Sequence, residues 1–172
     1  MGNLTAGDPS ATLLRMPASP ARAAIVSGYF NPLHIGHLQM MEAARELGAG
    51  HLVVIVNSDA QQELKKGRVI FTEDVRLRIV RALRVVDDAF VAVDTDGSVT
   101  ESLRRVRAAY PDTELVFCNG GDRRDTAAMP TSESQVCTEL GIEMAFGVGG
   151  QDKADSSSRI LHELGEGPPP RP

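Results

Sequence analysis

The chain has 172 residues, enough for one domain with a real core, and its 42% hydrophobic and 24% charged residues are those of a soluble globular protein. A net charge of −5, from 18 basic against 23 acidic residues, excludes a general nucleic-acid-binding surface, so any anion site must be a local cluster. No apolar run approaches the length of a membrane span, and two cysteines without metal spacing, Cys118 and Cys137, fit a reducing, cytoplasmic setting.

Residues 1–22 are rich in Gly, Ala, Pro, Ser and Thr and lack the basic and long apolar stretches of a signal peptide. They predict a flexible tail ahead of a domain over 23–164. Ala23 to Val26 reads as a short buried strand, broken at Ser27-Gly28. After Tyr29-Phe30-Asn31-Pro32 comes a helix over Gly36 to Leu47, with Leu38, Met41, Ala44 and Leu47 as its apolar face and Gly48 as its C′ glycine. The first turn carries His34, Gly36 and His37. A helix start offers unpaired N–H groups and partial positive charge. Two imidazoles three residues apart share a face, and Gly36 leaves room for a ligand to approach the backbone. Either histidine alone would read as a cap or a packing residue. Together, after a strand and a loop, they read as a site for the phosphates of a nucleoside triphosphate.

Leu52 to Val56 has the all-apolar pattern of a strand buried on both faces and ends in Asn57-Ser58-Asp59. A linker containing Lys65 and Lys66 follows, which taken alone is a solvated loop. A second helix is predicted from Thr72, with Val75, Ile79, Leu83 and Val86 as its buried stripe. Ala89 to Val93 reads as a strand closed by the turn Asp94-Thr95-Asp96-Gly97, and Ser98 with Glu101 as a capping box for a third helix stopped by Pro111. Glu114 to Cys118 is a fourth strand, leading into Asn119-Gly120-Gly121-Asp122-Arg123, where the glycines allow close backbone approach to a ligand. Ser132 with Gln135 predicts the cap of a short helix ended by Gly141. Ile142 to Phe146 reads as a fifth strand, and Asp155-Ser156-Ser157-Ser158 opens a last helix that buries Ile160, Leu161 and Leu164. Residues 165–172 are Pro-rich, a frayed end or a link to a further fused domain. Strands alternating with helices predict a doubly wound five-stranded parallel sheet, with the polar clusters beyond the carboxyl ends of its strands.

Gly28-Tyr-Phe-Asn-Pro-Leu-His-Ile-Gly-His37 closely resembles the G-x-F-D/N-x-x-H-x-G-H signature of the cytidylyltransferase-like nucleotidyltransferases. The resemblance implies a Rossmann-like nucleotidyltransferase fold of the HUP type and the transfer of a nucleoside monophosphate with release of pyrophosphate. Gly28, Tyr29, Phe30, Asn31 and Gly36 would then frame the nucleotide, with His34 and His37 donating to its phosphates. By the same resemblance Lys65 or Lys66 supports the triphosphate and Arg76 reaches the phosphates or the acceptor. Asn119, Gly120, Gly121, Asp122 and Arg123 would meet base and ribose. Ser156, Ser157 and Ser158 look like the I-S-T-T motif that meets phosphate at a helix start. Gln151-Asp152-Lys153-Ala154 stands where the usual Arg-containing segment is expected, a departure from the family pattern at the acceptor and phosphate contacts. Mg²⁺ would be carried mainly by the triphosphate, and relatives are commonly homodimers. Asn119–Arg123 with Ala154–Ser158 is similar to the cytidylyltransferase domains of phosphonate biosynthesis. That favours CTP and an acceptor such as 2-hydroxyethylphosphonate, with an ATP-using, sugar 1-phosphate enzyme of the ADP-heptose type close behind. A non-catalytic nucleotide-binding module would share the fold but is expected to have lost the histidines or lysines. A class I aminoacyl-tRNA synthetase fragment would carry K-M-S-K-S and a basic surface, and this sequence carries neither.

Overall fold

The computed structural model describes residues 19–120, 131–150 and 157–165. Its elements are β1 (Arg22–Gly28), α1 (Ile35–Leu47), β2 (Leu52–Val56), α2 (Asp59–Lys66), α3 (Glu73–Arg81) and β3 (Asp88–Val91). The second half runs α4 (Thr100–Ala109), β4 (Glu114–Gly120), α5 (Thr131–Leu140), β5 (Glu143–Val148) and α6 (Ser157–Glu163). The strands form one parallel sheet in the order β3-β2-β1-β4-β5. The order therefore reverses between β1 and β4, and there the carboxyl ends open a crevice.

The apolar runs are explained by burial on both faces. Ala23, Ile25, Val53, Ile55, Leu115 and Phe117 pack on one side against Leu103, Val106, Val136 and Cys137 of α4 and α5. Ala24, Val26, Leu52, Val54, Val116 and Cys118 pack on the other against Met41 and Ala44 of α1 and Val80 of α3. β2 is buried at every position, as its sequence predicts.

Several local expectations are corrected. The stretch expected as a linker holding Lys65 and Lys66 is the helix α2. Ser58 caps it, its hydroxyl accepting from the Gln61 N–H at 3.2 Å while Gln61 Oε1 accepts from the Ser58 N–H at 3.1 Å. α2 has little apolar content, and its buried residues are Gln61 and Gln62, so hydrophobic periodicity gives no sign of it. α3 is rotated from the expected stripe: Arg76 and Val80 are buried, whereas Val75 and Ile79 are 44% and 40% exposed. No Ser98–Glu101 capping box starts α4. The Asp94 carboxylate does that work, accepting from the backbone N–H groups of Glu101 at 2.6 Å and Ser102 at 3.0 Å. Ser132 lies inside α5 rather than capping it, and Leu164 is exposed rather than buried. Gly48 is not left-handed, with φ −83°. A Cβ there would lie 2.3 Å from the His51 carbonyl oxygen and 2.4 Å from the Ala24 nitrogen, so this glycine is required where α1 meets β1.

Candidate active site at the reversal of strand order

β1 ends at Gly28, directly under a reversal of the chain. A Cβ on Gly28 would lie 2.7 Å from the Phe30 ring, so only glycine lets that ring fold back over the strand end. Phe30 is buried at φ +51°, an uncommon conformation for a bulky residue, and a cis peptide joins Asn31 to Pro32. Asn31 is 1% exposed; its Oδ1 accepts the Phe71 N–H at 3.0 Å. Its Nδ2 is buried without a hydrogen-bond partner among the described residues. A buried donor left over in this way costs about 1–3 kcal/mol, so it is a feature in want of an acceptor.

The loop delivers His34 as the N-cap of α1, in extended conformation. Its backbone N–H donates to His37 Nδ1 at 3.3 Å. An Nδ1 that accepts must be unprotonated, so the neutral ring carries its proton on Nε2, which becomes the donor. The two imidazoles stack with centroids 3.8 Å apart and planes tilted by 31°. The edge of His37 also meets the Phe30 ring at 5.0 Å. The histidines are thus held side by side at a helix N-terminus, a setting for an anion and not for a cation. Gly36 is the second residue of α1 and half-buried.

Beside this loop lies an apolar cavity of about 230 Å³, lined by Phe30, Pro32, Leu33, Phe71, Ile79, Val80 and the Arg76 stem. Tyr29 is half-buried, and the Lys65 ammonium, exposed on the last turn of α2, sits over its ring at 5.0 Å. Lys66 closes α2, and its side chain lies outside the described residues.

Arg76 departs most from expectation. It is 1% exposed and turned inward. Its Nε donates to the Phe71 carbonyl at 2.9 Å, and Nη1 to the carbonyls of Tyr29 at 2.8 Å and Asn57 at 2.7 Å. Nη2 donates to Asp59 Oδ1 at 2.6 Å. A guanidinium committed to four protein acceptors does not reach phosphate in this arrangement. Sequence reasoning missed its partner Asp59, and also Glu73, whose carboxylate accepts the Asp59 N–H at 2.7 Å. The one available signal was the Ser58–Gln61 capping pattern, which marks Asp59 as the first residue of a helix.

Across the crevice, Asn119 and Gly120 end β4. Asn119 is 3% exposed, and its Nδ2 donates at 3.5 Å to the carbonyls of Phe117 and Ala145. Gly121, Asp122, Arg123 and Ser156 lie outside the described residues, as does the side chain of Ser158. Ser157 opens α6 and donates its hydroxyl to the Pro32 carbonyl at 3.0 Å, which ties the last helix to the histidine loop. Among the described residues, the carboxyl ends of β1, β2 and β4 therefore lie side by side with the start of α6 tied to the histidine loop, while the Arg76 guanidinium and Asn31 Oδ1 bond within the protein.

A family profile described as cytidylyltransferase-like matches residues 25–145. The chain is similar to the FAD synthase of Methanothrix thermoacetophila, 43% identical over 51% of this chain and 57% of that protein. It is also similar to a protein named "Probable nicotinate-nucleotide adenylyltransferase" from Citrifermentans bemidjiense, 32% identical over 59% of this chain and 49% of that one. The chain thus spans about half the length of these curated relatives. Among solved structures, a lipopolysaccharide core biosynthesis protein from Thermoplasma volcanium shares the fold, with TM-score 0.52 and 24% identity over 73% of this chain and 93% of that one.

Proposed function

The chain belongs to the cytidylyltransferase-like family, and from that membership we propose that it transfers a nucleoside monophosphate from a triphosphate to a small phosphate- or phosphonate-bearing acceptor. An acceptor oxygen attacks the α-phosphorus, the bond from that phosphorus to the bridging oxygen of the β-phosphate breaks, and pyrophosphate leaves with the electron pair. The attacking oxygen is already anionic at neutral pH, so the step needs no general base. It needs two polyanions brought together and charge stabilised on the α-phosphate and the leaving group. The observation that carries this reading is the stacked His34–His37 pair at the start of α1, with the His37 ring oriented by the His34 N–H on its Nδ1. The buried Asn31 Nδ2, which has no hydrogen-bond partner among the described residues, adds a further donor to the same loop.

Among the described residues no group of three or more His, Cys, Asp or Glu could hold a metal ion. Mg²⁺ is proposed to bind through the triphosphate, where it would neutralise phosphate charge. For the base we favour ATP over CTP, because relatives named for FAD synthesis and nicotinate-nucleotide adenylyl transfer both point to an adenine nucleotide. The expectation of CTP and 2-hydroxyethylphosphonate rested on Asn119–Arg123 and Ala154–Ser158, most of which lie outside the described residues. Pyrophosphate release with Mg²⁺, ATP or CTP, and a panel of phosphate and phosphonate acceptors tests both levels. Release with ATP at a kcat/KM at least tenfold above CTP is expected. Preference for CTP would overturn the base assignment, and no release with either would leave a nucleotide-binding module. No helix of the described residues is long and apolar enough to cross a membrane.

A further inference from the structure

The inward turn of Arg76 leaves a buried guanidinium at the junction of three segments that the proposed reaction would use. One is the histidine loop, held at the Tyr29 carbonyl; the second is the end of β2 and start of α2, held at the Asn57 carbonyl and Asp59. The third is the approach to α3, held at the Phe71 carbonyl. Two further bonds tighten the same junction, Glu73 Oε2 on the Asp59 N–H and Asn31 Oδ1 on the Phe71 N–H. Both partners of the Lys65–Tyr29 contact hang on this group. Tyr29 is gripped at its carbonyl, while Lys65 rides on the helix whose first residue is the Asp59 carboxylate.

Fully buried charges are costly unless paired and hydrogen-bonded throughout, and an apolar side chain could fill this space at less risk. A planar fork, however, can grip two carbonyls and a carboxylate in fixed directions, as a lysine's single ammonium cannot. We propose that Arg76 is a positioning residue, which fixes the distance between the histidine loop and α2 so that Tyr29 presents Lys65 to the triphosphate. It acts through Lys65 and touches no substrate. This rests on the reading of the crevice as a triphosphate site, and it replaces a direct phosphate contact by Arg76.

The test is a double-mutant cycle on binding of inorganic tripolyphosphate, which needs neither the right base nor the right acceptor. In the wild type, Lys65→Met is expected to weaken binding about tenfold, as for loss of one charge-assisted contact. Arg76→Lys keeps the charge but loses the fork, and should weaken binding by a similar factor. Adding Lys65→Met to Arg76→Lys should then cost less than twofold more, because the lysine is already misplaced. Independent tenfold losses that multiply to about a hundredfold would overturn the proposal and make Arg76 a support of the fold alone. Should Arg76→Lys fail to fold, the same cycle is run with Tyr29→Leu, which removes the ring and spares the buried charge; multiplying losses there would equally overturn it. A wild type that binds no tripolyphosphate would remove the triphosphate site itself. Binding without nucleotidyl transfer would remove the proposed activity and leave the coupling to be read.

Discussion

The proposed reaction gives His37 two separable jobs, because each ring nitrogen faces a different task. Nδ1 accepts the His34 N–H at 3.3 Å, a long bond that places its stability value at the low end of the capping range, about 0.5 kcal/mol. Nε2 carries the proton and, in the proposed reaction, would donate to a phosphate. Loss of one such donor to transition-state charge costs about 2.7–4 kcal/mol, roughly 10²–10³ in turnover. The catalytic effect should therefore dwarf the structural one. His37→Ala is expected to lower kcat by about 10²–10³ while its Tm falls by only about 1–2 °C. Asparagine places its side-chain oxygen near the Nδ1 position, so His37→Asn should restore the Tm and stay slow. Glutamine places its amide nitrogen near Nε2, so His37→Gln should recover roughly tenfold in kcat over alanine. Steady-state pyrophosphate release beside thermal melts of each variant measures both. His37→Ala turning over within threefold of wild type would refute the reasoning, as would an asparagine variant faster than the glutamine one.

Gly48→Ala should destabilise by about 2–4 kcal/mol, since its Cβ would drive into the His51 carbonyl and break the 2.9 Å bond from the Ala24 N–H. Gly97→Ala, with open space around the new methyl, is the control and should stay within about 0.5 kcal/mol in urea titrations. Asp94→Ala strips the start of α4 of its acceptor and should cost about 1–3 kcal/mol, with faster amide exchange at Glu101 and Ser102. Burial pushes the thiols of Cys118 and Cys137 up to about 12, so thiolate is scarce at pH 8. Both should react with an aromatic disulfide reagent only at the rate at which the fold opens, and immediate labelling in native buffer would contradict their placement.

The sheet was legible because apolar runs such as Leu52–Val56 can be read in few other ways, and the place of the histidine pair because His34 and His37 follow a strand end. What escaped reading was the polar architecture. α2 buries glutamines where a helix usually buries leucine, so its amphipathic pattern is invisible to a search for apolar spacing. α3 turns a different inner face from the expected one: Val75 and Ile79 look like core and Arg76 like a phosphate contact until four acceptors are found waiting for the guanidinium. The cap of α4 comes from Asp94, four residues before the predicted Ser98, because a side chain from the preceding turn reaches the helix start first. Each miss is a polar group satisfied at a distance, and sequence spacing encodes contacts at a distance poorly.

The middle position of β1 in the sheet has a consequence for synthesis. As the chain leaves the ribosome, β1 pairs with β2, but its other flank has no neighbour until β4 emerges more than eighty residues later. At about 5–20 residues per second the wait lasts several seconds. Throughout it the nascent half-sheet bares a ladder of unmet amides along β1, a template for another polypeptide. Aggregation during expression should therefore concentrate in chains arrested before residue 114, and a ribosome-bound chaperone would matter most in that window.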